Sequence, residues 1–138
     1  MMAEYFRDHP VDLVAGPATG GMILAFEVGR QLGKRAIYAE KEGDRKTFRR
    51  GAAIEPGDRV LIVDDVITSG GSVNEVIGLV KERRGEVAGV GVLVDRGDSP
   101  PEFGAPFFSC LRTAAVTYAP ETCPLCARGI PLTRPGGV

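Results

Sequence analysis

The chain has 138 residues, enough for one domain with a real core, and its hydrophobic (43%) and charged (25%) fractions exclude a disordered polymer. A net charge of −1 argues against broad nucleic-acid binding, so any anion site has to be local. No apolar run approaches the length of a membrane span, and the opening "MMAEYFRDHP" lacks a charged-then-apolar secretory pattern. The expectation is a single domain over 1–138, working in the cytoplasm.

Residues 11–15 read as a strand, followed by the loop Gly16-Pro17-Ala18-Thr19-Gly20-Gly21. Apolar residues at 22, 25, 26 and 32 give one helical face, and Gly33 stops that helix. Residues 35–39 read as a second strand. The polar stretch 41–50 carries Lys41, Arg45, Lys46, Arg49 and Arg50, with Gly43 and Gly51 as flexible points, and reads as a loop. "RVLIV" at 59–63 does not alternate, which predicts a strand buried on both faces. Val73, Val76, Ile77 and Val80 follow the i, i+3, i+4, i+7 spacing of a helix, capped by Ser72 and running to about Arg84. Residues 87–94 supply a fourth strand and 114–118 a fifth. Strand, loop, helix, strand in repetition implies an α/β fold, its parallel sheet joined by right-handed crossovers with helices on both faces. Ligands of such sheets bind beyond the carboxyl ends of the strands, the edge at which both glycine loops and Asp95-Arg96 fall.

Thr68-Ser69-Gly70-Gly71-Ser72 offers consecutive backbone N–H groups and three hydroxyls at a helix start, a phosphate cradle without the lysine of a Walker loop. The same residues would also serve as a plain capped turn. Asp64 and Asp65 decide between these readings, because two carboxylates would repel a phosphate unless a polyol lies between. A ribose phosphate meets both demands, with hydroxyls for the aspartates and phosphate for the loop. The 16–21 loop can hold a second anion, and a cationic segment at 41–50 can close over it. Arg96 can bind a carboxylate through its guanidinium fork, or serve only as a structural ion pair.

Three cysteines, Cys110, Cys123 and Cys126, make no disulfide framework. Cys123-Pro-Leu-Cys126 is half of a zinc site, to be completed by Cys110 and His9 or by a second subunit. Ordinary reduced thiols and redox chemistry are the other two readings. His9, beside Pro10, reads as an exposed loop residue.

"VLIVDDVITSGGS" resembles the phosphoribosyl diphosphate (PRPP) binding motif of type I phosphoribosyltransferases. Through "GPATGG", "AEKEGDRKTFRRG", "VGVLVDRG" and "CPLCARGIPLTRPG" the chain is similar, over 12–135, to the shorter bacterial orotate phosphoribosyltransferases. The resemblance implies a mostly parallel five-stranded sheet flanked by helices. It implies that Asp64, Asp65, Val66, Ile67, Thr68, Ser69, Gly70, Gly71 and Ser72 hold the ribose 5-phosphate part of PRPP, and that Pro17, Ala18, Thr19 and Gly20 hold its pyrophosphate. Lys41, Arg45 and Lys46 would form a catalytic lid shared across a homodimer, Asp65 would act with them in catalysis, and Thr68 and Arg96 would contact orotate. Mg²⁺ would be held through PRPP rather than by protein ligands. The implied reaction joins orotate and PRPP into orotidine 5′-monophosphate and pyrophosphate in pyrimidine synthesis. Family members also carry a hood segment ahead of the core, expected to be missing here because Met1-Met2 stands almost directly before the first strand. The lid has no histidine between Lys41 and Gly51, and residues 120–138 form a CPLC-containing extension found in one branch. The competing expectations are a PRPP-dependent salvage transferase for another base and a non-catalytic PRPP-binding regulator.

Overall fold

Which residues can be buried on two faces at once decides where the strands lie. The computed structural model describes residues 1–43, 45–48, 51, 53–114, 116 and 118–131. In chain order these form α1 (Met2–Tyr5), β1 (Leu13–Pro17), α2 (Gly20–Leu32), β2 (Arg35–Glu42), β3 (Arg45–Phe48), β4 (Arg59–Ile67), α3 (Gly71–Glu82), β5 (Glu86–Asp95) and β6 (Phe107–Arg112). Two 3₁₀ turns, Pro120–Thr122 and Cys126–Arg128, follow. One sheet has the order β3-β2-β1-β4-β5-β6 and is parallel except for the β2–β3 edge pair. It is the α/β architecture expected, with six strands instead of five.

Side-chain alternation splits the core into two layers. Leu13, Ala15, Val60, Ile62, Val90 and Val92 pack with Val73, Val76 and Val80 of α3. On the other face Val14, Leu61 and Val63 meet Ala25 and Val28 of α2, and Met2 and Phe6 of α1. Gly89 and Gly91 of β5 make room there, since a Cβ on either would strike Phe6 or Met2. At the amino ends of β1 and β4, Arg59 grips Asp12 through Nε (2.7 Å) and Nη2 (2.8 Å). This leaves the carboxyl ends free for the site. There β1 and β4 are neighbours whose connections leave in opposite directions, to β2 on one side and β5 on the other. That divergence opens a crevice between them.

Four expectations need correction. Most of the described part of the 41–50 stretch is strand: β2 continues to Glu42 and returns as β3, with Lys41 opposite Lys46 and Ala39 opposite Phe48. Charge hid this hairpin, because an edge strand needs only one apolar side and gains protection from lysine and arginine on the other. The last strand lies at Phe107–Arg112 rather than 114–118; Val116 is exposed, and 115 and 117 lie outside the described residues. Helix α3 starts at Gly71 behind Gly70, so Ser72 sits inside its first turn and does not cap it. His9 is half-buried, stacked on Tyr5 at 5.4 Å and edge-on to Phe6 at 5.1 Å, because α1 brings these rings together.

Candidate active site

Strand β4 carries its buried run two residues past Ile62, the last position paired with β1, so polar side chains emerge where the sheet opens. Asp64 is buried and Asp65 exposed, as alternation requires. The Asp65 N–H donates to Asp64 Oδ1 (2.9 Å) and the Val66 N–H to Asp65 Oδ1 (2.8 Å). Each carboxylate keeps its second oxygen for other work. Burial pushes the Asp64 carboxyl up to about 6; the negative charge of Asp65 adds to this, against the opposing pull of the Asp65 N–H and Lys46.

Beyond β4, a cavity of about 150 Å³ is lined by Asp64, Val66, Ile67, Thr68, Ser69, Gly70, Gly71 and Ser72. Apart from Asp65 these are the residues expected to hold the ribose 5-phosphate. Gly70 has φ +74°, a left-handed conformation that only glycine adopts without strain, and a Cβ there would meet the Phe103 ring at 2.9 Å. Helix α3 has neither a side-chain cap nor an acid in its first turn, so its leading N–H groups face the cavity unneutralised.

The second loop arrives from β1. Pro17 ends that strand, the Ala18–Thr19 peptide is cis, and α2 begins at Gly20, again without a side-chain cap or a first-turn acid. The Ala18 N–H donates to the Ala39 carbonyl at 2.8 Å. A Cβ on Gly20 would fall on the Asp65 carboxylate, and one on Gly21 would meet the Val63 carbonyl at 2.8 Å. The two helix N-termini are therefore set side by side with the aspartates between them.

Lys46 reaches this cavity from the hairpin. Its Nζ lies 2.7 Å from Glu75 Oε2 and 3.5 Å from Ser72 Oγ. Lys41 and Arg45 are exposed on the same hairpin, Arg45 lining a cleft with Lys46, Glu75 and Leu79. Arg49 and Arg50 lie outside the described residues. Thr68 stands in the cavity wall, and the Arg96 N–H is tied to the Ile67 carbonyl at 2.8 Å. Sequence reasoning missed Glu75 and Phe103, and placed Asp95 at this edge only as the neighbour of Arg96, without its burial. Glu75 stands three residues after Ser72 and so shares its helix face; Phe103 has no comparable signal.

Cys126 N–H donates to Cys123 Sγ at 3.5 Å, which with the neighbouring thiol holds Cys123 below its ordinary value. Cys110 belongs to β6 and packs on the α1–α2 side of the core. Among the described residues, no group of three His, Cys, Asp or Glu gathers as a metal would require.

Paired acids and two helix starts without side-chain caps thus meet at one switch point of the sheet. Residues 1–121 match the phosphoribosyl transferase domain, and the chain belongs to the phosphoribosyltransferase family. It is 53% identical over 135 residues to the orotate phosphoribosyltransferase of Caldanaerobacter subterraneus subsp. tengcongensis, covering 98% of this chain and 71% of that one. The orotate phosphoribosyltransferase of Carboxydothermus hydrogenoformans is 48% identical over 137 residues, 98% of this chain and 72% of the relative. Among solved structures, adenine phosphoribosyltransferase from Rhodothermus marinus superposes with a TM-score of 0.70 at 29% identity, over 81% of this chain and 75% of that one. Orotate phosphoribosyltransferase from Aeropyrum pernix does so with 0.64 at 30% identity, over 75% and 61%.

Proposed function

We propose that the chain is an orotate phosphoribosyltransferase, converting orotate and PRPP into orotidine 5′-monophosphate and pyrophosphate for pyrimidine synthesis in the cytoplasm. The observation that carries this reading is the cavity lined by Asp64 and Val66 to Ser72 at the β1–β4 switch point. In it the helix α3 N-terminus and the 68–72 hydroxyls receive the 5-phosphate, and Asp64 and Asp65 accept hydrogen bonds from the ribose hydroxyls. Pro17, Ala18, Thr19 and Gly20, at the start of α2, receive the pyrophosphate. The transition state is a ribose cation departing from an anion, so positioned charges serve it and no covalent nucleophile is required. Lys46 stabilises the phosphate side of the same cavity, while Arg96 and Thr68 take the base; orotate's carboxylate suits a guanidinium fork. The 48–53% identity to proteins named for orotate supports that base over adenine or uracil.

Mg²⁺ fits as an ion brought by the substrate. Asp64 and Asp65 each spend one oxygen on a backbone N–H and no third candidate ligand joins them among the described residues, so the substrate's phosphates would carry the ion and the two acids would steady it. When bound, the ion neutralises the leaving pyrophosphate.

A homodimer sharing its lid belongs to the same proposal. Met22, Ile23, Phe26, Ala36, Ile37 and Tyr38 line an apolar groove of about 370 Å³ with Ile23 and Phe26 about two-thirds exposed (66% and 67%), the kind of surface that associates. Lys46 is engaged with Glu75 of its own chain, leaving Lys41 and Arg45, among the described residues of the hairpin, as the cations offered to a neighbour. The decisive assay supplies PRPP and Mg²⁺ with orotate, uracil, adenine or hypoxanthine and measures pyrophosphate release. Orotate-dependent release is expected; turnover with a purine alone would make the chain a salvage enzyme. PRPP binding without turnover would make it a regulator.

A further inference from the structure

Asp95 is 1% exposed at the carboxyl end of β5, and it is not a residue that the reaction above uses. Its Oδ1 accepts the Gly97 N–H at 2.9 Å, closing a turn over Arg96. Its Oδ2 has no hydrogen-bond partner, lying 3.5 Å from Arg112 Nε of β6, an ion pair without hydrogen-bond geometry. Main-chain bonds fix the same turn on both sides: Arg96 N–H to the Ile67 carbonyl (2.8 Å) and Thr113 N–H to the Asp95 carbonyl (2.9 Å). Packing is equally close, since a Cβ on Gly97 would meet the Thr68 carbonyl at 2.8 Å and Asp95 Oδ1 at 3.2 Å. The turn that carries Arg96 is thus bolted to the strand end that carries Thr68.

Burying a carboxylate with one hydrogen bond and one imperfect ion pair is costly, and a core position at a strand end needs no charge. The charge is accounted for by the two arginines nearby. Asp95 pairs with Arg112, whereas the Arg96 guanidinium makes no ion pair among the described residues and stays available for an incoming anion. We infer that Asp95 is a positioning residue for the base: it holds the Arg96 turn in register with Thr68 and, by occupying Arg112, leaves Arg96 as the arginine that selects an anionic base. This rests on the orotate reading, and it adds a determinant of selectivity that never touches the substrate.

The test measures equilibrium binding of orotidine 5′-monophosphate, uridine 5′-monophosphate and ribose 5-phosphate to the full chain, alongside turnover of orotate. The two nucleotides differ only in the base carboxylate. In Asp95→Asn, whose amide oxygen can still accept the Gly97 N–H, the preference for the orotidine nucleotide should fall by about tenfold, the scale of a misplaced charge-assisted contact, with ribose 5-phosphate affinity unchanged. Arg112→Gln, altered at a half-exposed position, should lower the same preference by a smaller factor and guards against a folding failure of the first variant. An unchanged preference in both variants overturns the inference, as does a parallel loss of ribose 5-phosphate binding, which would mark a merely structural role. A wild-type chain with no preference for the carboxylate overturns it too. Binding preference without orotate turnover would instead refute the proposed reaction and leave the inference standing.

Discussion

Replacing Asp64 by asparagine separates what the paired acids cost from what they do. The folded protein holds the Asp64 proton up to about 6, against 3.8 in the ordinary carboxyl, chiefly because the group is buried. Between those values the folded state binds more protons than the unfolded one, so stability falls as pH rises from about 4 to about 6 and stays level above. The gap from 3.8 to about 6 corresponds to about 3 kcal/mol in full, and solvent at the cavity mouth reduces it to about 1–2 kcal/mol. Asparagine keeps the oxygen that accepts the Asp65 N–H and removes the charge. The variant should therefore melt roughly 3–10 °C above wild type at pH 7.5, with the difference vanishing near pH 4. Its PRPP affinity should fall about 10- to 100-fold, the worth of hydrogen bonds to an ionised acceptor. Thermal melts of both proteins at several pH values, with a PRPP titration, check this. A lower melting temperature for the variant at pH 7.5, or an equal gain at pH 4 and pH 7.5, would refute the reasoning.

Lys46→Ala should lower kcat/KM by about 100-fold in steady-state assays. Its melting temperature should barely move, because the Lys46–Glu75 pair is half open to water on the Glu75 side. Gly20→Ala pushes a methyl group onto the Asp65 carboxylate, so PRPP KM should rise more than about tenfold with the circular dichroism spectrum preserved. Gly70→Ala forces a Cβ into a left-handed residue and against Phe103. Urea unfolding should register a loss of at least about 1–2 kcal/mol.

Much of this was written in local chemistry. The 59–63 run predicted a doubly buried strand because five apolar residues in succession leave no polar face, and α3 followed from four valine and isoleucine positions. The cavity lining was legible too: the run from Asp64 to Ser72 pointed to one site, and all of it but Asp65 lines one cavity. What escaped was set by partners distant in sequence. The β2–β3 hairpin is held where Ala39 and Phe48 meet across it, and its cations look the same in a loop as on an edge strand. Strand β6 was hidden by its mixed pattern of two phenylalanines, serine, cysteine and arginine; its place comes from register with β5, Val90 beside Phe107 through Asp95 beside Arg112. Asp95 is visible in the sequence only as a neighbour of Arg96, and burial alone sets it apart.

Neither α2 nor α3 closes its own amino end with a side chain. Gly70 has no side chain to give, its left-handed backbone and the Phe103 ring leave no room for one, and Thr19 makes no side-chain cap bond at α2. Under the proposed function the anions of the substrate would be the caps of these helices, so that catalytic affinity and local rigidity would become one trait that selection could not improve separately. Sequences in this family that drift toward self-capped helices would gain heat resistance and lose their grip on phosphate together.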